Sequence, residues 1–148
     1  MLGRFAERGL NEAFDASAFG AYSGMAIRHA PAGEPIDVAP LGARLEGART
    51  VALFKSEDLE VMRLVLLAGK ALPAHKVAGE ITIQCIEGRI EVTTDGQPQV
   101  LCAGQMLFLA REVVHGVVAL ENASALLTIA LTGSAPAQHT NEPARSQR

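Results

Sequence analysis

His75 and His115 are the two residues of this chain whose type and setting most readily suggest chemistry. They stand forty residues apart, His75 opening "HKVAGEITIQCIEG" and His115 opening "HGVVAL", so they belong to different elements. Each comes shortly after a glycine-led turn, which allows both to meet at one end of a barrel. Neutral imidazole is the commonest metal-ligand type, so two converging histidines raise a metal hypothesis. The plainer alternative is a surface or hydrogen-bonded histidine at a strand end. Glu80 follows His75 by five residues, and the set His75, His115, Glu80 would be a two-histidine, one-carboxylate triad suited to non-haem iron. The chain carries no Ser-His-Asp order, no nucleotide-binding loop and no paired-cysteine zinc motif.

The elements that must position these residues read as β-strands. In "EITIQCI", Ile81, Ile83 and Cys85 alternate with Thr82 and Gln84, which buries one face of a strand. "LEVMRLVLL" precedes it and "AGK" ends that run. Glu87-Gly88 turns into "RIEVTT", Asp95-Gly96 is a hairpin signal before "QPQVLCA", and Ala103-Gly104 turns into "QMLFLA". "HGVVAL" and "ALLTIAL" complete about eight short strands at 8–12-residue spacing, the pattern of an all-β barrel or sandwich. No segment there repeats at 3.6 residues over three turns.

Gly69, five residues, His75, then Glu80 and Gly88 resemble the first conserved box of the cupin family, and Gly104 to His115 resemble the second. The resemblance covers about Val51 to Leu131. It implies an antiparallel jelly-roll barrel, usually dimeric, with a pocket lined by inward side chains. In many members a divalent metal (Fe, Mn, Ni or Zn) sits there on three histidines and a glutamate. Against that pattern, the second histidine is replaced by Val77, and the glutamate position counted back from Gly88 is Ile81. Glu80 is one residue out of register, which points a strand side chain to the opposite face unless a bulge at Ala78-Gly79 shifts the pleat. In the second box the proline and glycine positions are Ala110 and Glu112, so the turn before His115 is unusual.

The expected pocket is lined by Met62, Leu64, Val77, Ile81, Ile83 and Phe108, with His75 and His115 at its mouth. It suits a small hydrophobic or weakly acidic ligand. Lys76, Gln84 and Arg63 are expected to face away from it.

At 148 residues, one domain is expected: an arm over 1–50, a barrel over 51–132 and a tail over 133–148. "ERGLNEAF" could form a short helix, and Pro31, Pro35 and Pro40 favour an extended arm after it. The polar tail is expected to be mobile. A net charge of −3 with scattered basic residues argues against nucleic acid or an anionic membrane as partner. The first residues lack a secretory apolar core, no run is long enough to span a bilayer, and Cys85 and Cys102 read as buried thiols of a reducing compartment. The expected location is the cytoplasm. Three functions compete: a small-molecule-binding barrel, a metal-dependent enzyme of dioxygenase or isomerase type, and a non-catalytic dimerisation or regulatory module. A homodimer is expected, with the arm covering a neighbour's outer sheet.

Overall fold

A computed structural model describes residues 29–131 of the chain, so the expected helix near the N-terminus and the tail from 133 lie outside the described residues. Nine strands follow a 3-10 turn at Gly42–Arg44: β1 Val51–Lys55, β2 Leu59–Leu66, β3 Ala71–His75, β4 Ile81–Glu87, β5 Arg89–Thr94, β6 Gln97–Cys102, β7 Met106–Leu109, β8 His115–Ala119 and β9 Ala123–Ala130. They form a five-stranded sheet in the order β1-β2-β9-β4-β7 and a four-stranded sheet in the order β3-β8-β5-β6. All pairings are antiparallel. The fold is an antiparallel jelly roll, all-β as the strand pattern predicts and of the kind that the resemblance implies.

Alternation decides what fills the space between the sheets. Met62 and Leu64 from β2, Ile81, Ile83 and Cys85 from β4, and Leu127 and Ile129 from β9 are buried on the inner face of one sheet. Ile90 and Val92 from β5, Leu101 from β6 and Val117 from β8 meet them from the other. The β5–β6 hairpin turns on Asp95 and Gly96, both at positive φ (48° and 74°), the pair of left-handed residues that a two-residue hairpin of this hand requires.

Two strands escaped the sequence reading. β3 is "ALPAH", whose proline and mostly exposed positions hide any period. It runs beside a single neighbour, β8, and an edge position of that sheet tolerates Pro73. β1 is half-buried without alternation, and its register with β2 slips between Ala52 and Phe54.

The segment before β1 folds back onto its own barrel, where the sequence suggested a neighbour's. Arg63 leaves the core between the inward Met62 and Leu64, yet is only 5% exposed. Its Nη1 donates to the Ala39 carbonyl (2.9 Å) and its Nη2 to that of Asp37 (2.9 Å). Glu87, at the end of β4, takes the next part of the segment. Its Oε1 accepts from the Leu41 N–H (2.9 Å) and the Ser124 hydroxyl (2.6 Å), and its Oε2 from the Gly42 N–H (3.0 Å). A guanidinium needs acceptors for its fixed fork of donors, and the carbonyls of residues 37 and 39 are the acceptors within reach. Burial pushes the Glu87 carboxyl upward, but the hydrogen bonds from Ser124, Leu41 and Gly42 and the Arg63 charge outweigh it and hold the group below its ordinary value.

The two cysteines part company. Cys85 lies in the core with no exposure, and burial, with the nearby Cys102 adding to it, pushes its thiol up. Cys102 is exposed at the end of β6, because Leu101 takes the inward position of that strand; the expectation of two buried thiols is corrected.

Candidate functional site

β3 and β8 run antiparallel with His75 directly opposite His115. The pairing across two neighbouring strands puts their rings 4.5 Å apart between centroids, tilted by 56°. The sequence reading brought these residues together, and in the fold they are neighbours. Both rings are held the same way. Nδ1 of His75 lies 2.8 Å from the Pro73 carbonyl, and Nδ1 of His115 lies 3.0 Å from that of Val113. A carbonyl oxygen only accepts, so each Nδ1 carries a proton, and in the neutral imidazole it is Nε2 that keeps the lone pair. The Nε2 of His75 is buried and has no hydrogen-bond partner. His115 is 1% exposed. Burial lowers its pKa, the Val113 carbonyl opposes this, and the adjacent His75 lowers it further, leaving the imidazole below its ordinary value.

Glu80 does not join them. Its side chain is exposed, and the next residue, Ile81, enters the core at 1% exposure. No pleat shift at Ala78-Gly79 turns the carboxylate inward. Gly79 serves a different purpose: a Cβ there would stand 1.7 Å from the Ala130 carbonyl oxygen, so only glycine lets the chain pass β9 this closely. Ala130 N–H then donates to the Glu80 carbonyl (2.9 Å), which fixes the backbone rather than the side chain.

The donor set decides how a metal would fare. Zinc asks for three or four protein ligands, and a non-haem iron site for two histidines and a carboxylate. Among the described residues no group of three His, Cys, Asp or Glu side chains is placed to hold a metal ion. Two imidazoles, with hydrocarbon at Val77 and Ile81 where the family pattern has ligands, do not fit a tightly held metal, whether Fe, Mn, Ni or Zn.

The expected pocket is corrected in two respects. Met62, Leu64, Ile81 and Ile83 are packed into the core at 5% exposure or less, so they fill the barrel instead of lining an open cavity. Phe108 is 59% exposed, because Leu107 and Leu109 take the inward positions of β7 and leave Met106 and Phe108 outside. Val77 is partly buried against the core. A cleft of about 410 Å³ lies elsewhere, between the 3-10 turn and the β4–β5 and β8–β9 turns, lined by Gly42, Ala43, Leu45, Glu46, Glu87, Gly88 and Asn122. Its Asn122 belongs to the turn that follows β8, whereas His115 begins that strand.

One feature of the histidine end was only half legible. Glu112 adopts φ 61°, the left-handed conformation that suits glycine. Its side chain meets Lys76 (Nζ to Oε2, 2.9 Å) and its N–H donates to the Val77 carbonyl (3.0 Å). The odd residue at this turn was visible in the sequence. That the backbone keeps the glycine-like conformation regardless was not.

A family model described as "Cupin domain" matches residues 62–131. Among solved structures, the chain is similar to an RmlC-like cupin protein from Desulfovibrio desulfuricans, at 27% identity over 66% of this chain and 96% of that one, with a TM-score of 0.57. It is similar in fold to a cupin superfamily protein from Desulfitobacterium hafniense, at 16% identity over 73% and 100% of the two chains, TM-score 0.59. KdgF from Halomonas sp. shares the fold at 20% identity over 57% of this chain and 79% of that one, TM-score 0.52. No curated protein matches the chain. Among the described residues no helix is long and apolar enough to cross a membrane.

Proposed function

We propose that this chain, whose residues 62–131 match a cupin domain model, binds a small molecule at the histidine end of its barrel without a tightly held metal. One observation carries the reading: the buried Nε2 of His75 has a free lone pair and no partner. A buried acceptor left unmade costs about 1–3 kcal/mol, so the site gains when a ligand O–H or N–H reaches it. His115, neutral at physiological pH, lies against it as a second acceptor. Leu72, Val77 and Val113, close to the two histidines in sequence, are partly buried against the core and make these segments largely apolar. The ligand is therefore a small, largely apolar molecule with at least one hydrogen-bond donor.

Native mass spectrometry of untagged protein tests this. A co-purified mass that is lost in His75→Phe is the expected result, together with substoichiometric metal by elemental analysis. Metal at one equivalent per chain, released by the same substitution, would replace this reading by the metal-dependent enzyme of dioxygenase or isomerase type.

The same barrel is proposed to act as a cytoplasmic homodimer. Met106 (62% exposed) and Phe108 (59%) stand together on the outer face of the edge strand β7, where a second copy would bury them. Light scattering at micromolar concentration should give twice the chain mass, and a monomer would sink this part.

A further inference from the structure

Among the described residues, two that are not glycine adopt positive φ, Asp95 and Glu112. The hairpin between β5 and β6 accounts for Asp95. Glu112 lies in no hairpin, and strain of this kind persists only where the surroundings over-determine it. Two contacts meet at it, the ion pair to Lys76 and the hydrogen bond to the Val77 carbonyl. Lys76 and Val77 directly follow His75, and Val113, whose carbonyl accepts from His115, directly follows Glu112. The two segments that carry the histidines are thus stapled together beside the pair.

We propose that the Lys76–Glu112 pair is a latch that closes the histidine end, and that a ligand reaches the Nε2 of His75 with the latch open. This rests on the reading of the histidine end as the binding site. The staple has the properties of an element with two states. The Lys76 and Glu112 side chains are 44% and 55% exposed, so their attraction is weak and screened by salt. The left-handed backbone of Glu112 pulls the other way, favouring relaxation once the carboxylate lets go. A closed state held by a weak pair against local strain opens readily and reseals without a large rearrangement.

Diethyl pyrocarbonate acylates unprotonated imidazole nitrogens, so its rate at His75, read by peptide mass spectrometry at pH 7.5 and low salt, reports the latch directly. The exposed His29 serves as the internal reference. Relative to it, Lys76→Met and Glu112→Gln should each raise the His75 rate about fivefold. Salt at about 1 M should do the same to the unaltered protein, because the Debye length falls to about 3 Å. The reversed pair, Lys76→Glu with Glu112→Lys, should restore the slow rate. Single variants as slow as the unaltered protein, or a reversed pair as fast as the singles, would overturn the latch. The reagent needs no ligand, so this outcome is separate from the fate of the ligand reading: a protein that binds nothing could still show the latch.

Discussion

The barrel has two polar clusters made of similar materials, and they are finished differently. At the Glu87 end a carboxylate and a guanidinium meet a hydroxyl, two backbone N–H groups and two carbonyls, and every strong donor or acceptor named there is answered. At the histidine end two imidazoles are each anchored through Nδ1, yet the Nε2 of His75 is left without a partner in a buried position. Folded chains satisfy their buried polar groups as a rule, so the first cluster reads as construction, and the second is the one proposed to take a ligand. The difference teaches that burial alone does not mark a site. Incomplete satisfaction does.

The sharpest way to break this contrast is to remove Arg63. Arg63→Ala should destabilise the protein by about 2–4 kcal/mol in urea unfolding, because it leaves the Asp37 and Ala39 carbonyls without their donors and removes a charge that favours the Glu87 carboxylate. A loss under about 1 kcal/mol would mean that the clasp is decoration. His75→Leu should behave oppositely, changing stability by less than about 1 kcal/mol or raising it, since it deletes an acceptor that the fold does not use. If it instead costs as much as Arg63→Ala, the histidine end is structural and the contrast disappears. A pH titration of stability gives the smallest signal and separates the two ends by window. Both groups have depressed pKa values in the fold, so each contributes stability above its unfolded pKa that is lost as pH falls. For His115 the loss begins below its ordinary value of 6.5, and for Glu87 below 4.5. Stability measured from about pH 7.5 down to about pH 2.5 should therefore decline in two steps. His115→Phe should erase the upper step alone, and an upper step that survives it would assign that loss elsewhere.

The sequence disclosed the core better than the site. The alternation of Ile81, Ile83 and Cys85, and of Ile90 and Val92, is a local property of each strand, and those side chains are where the period puts them. The pairing of His75 with His115 was legible through two turn-led strands and the spacing of the two boxes. The burial of Arg63 was not, because it depends on a segment some 25 residues away whose proline-punctuated sequence carries no period. Phe108 was misplaced for a simpler reason. A four-residue strand of apolar residues, Met106 to Leu109, has no polar face to reveal its phase, and the aromatic ring went outward. Glu80 shows the opposite case: its register count placed it off the inner face, and the side chain is exposed.

Strand order has a consequence for how this chain comes to be. β9 lies between β2 and β4, hydrogen-bonded along both, although it is the last strand of the sheet to emerge from synthesis. Until it arrives, β2 and β4 have no partner for the edges that it will occupy, and the apolar faces of Leu64 and Ile83 lack the neighbour that closes over them. The step that completes the sheet joins segments some sixty residues apart, which makes it a late and slow one. The growing chain therefore carries an aggregation-prone surface until β9 has emerged, and the eight residues of β9 act as the keystone that removes it.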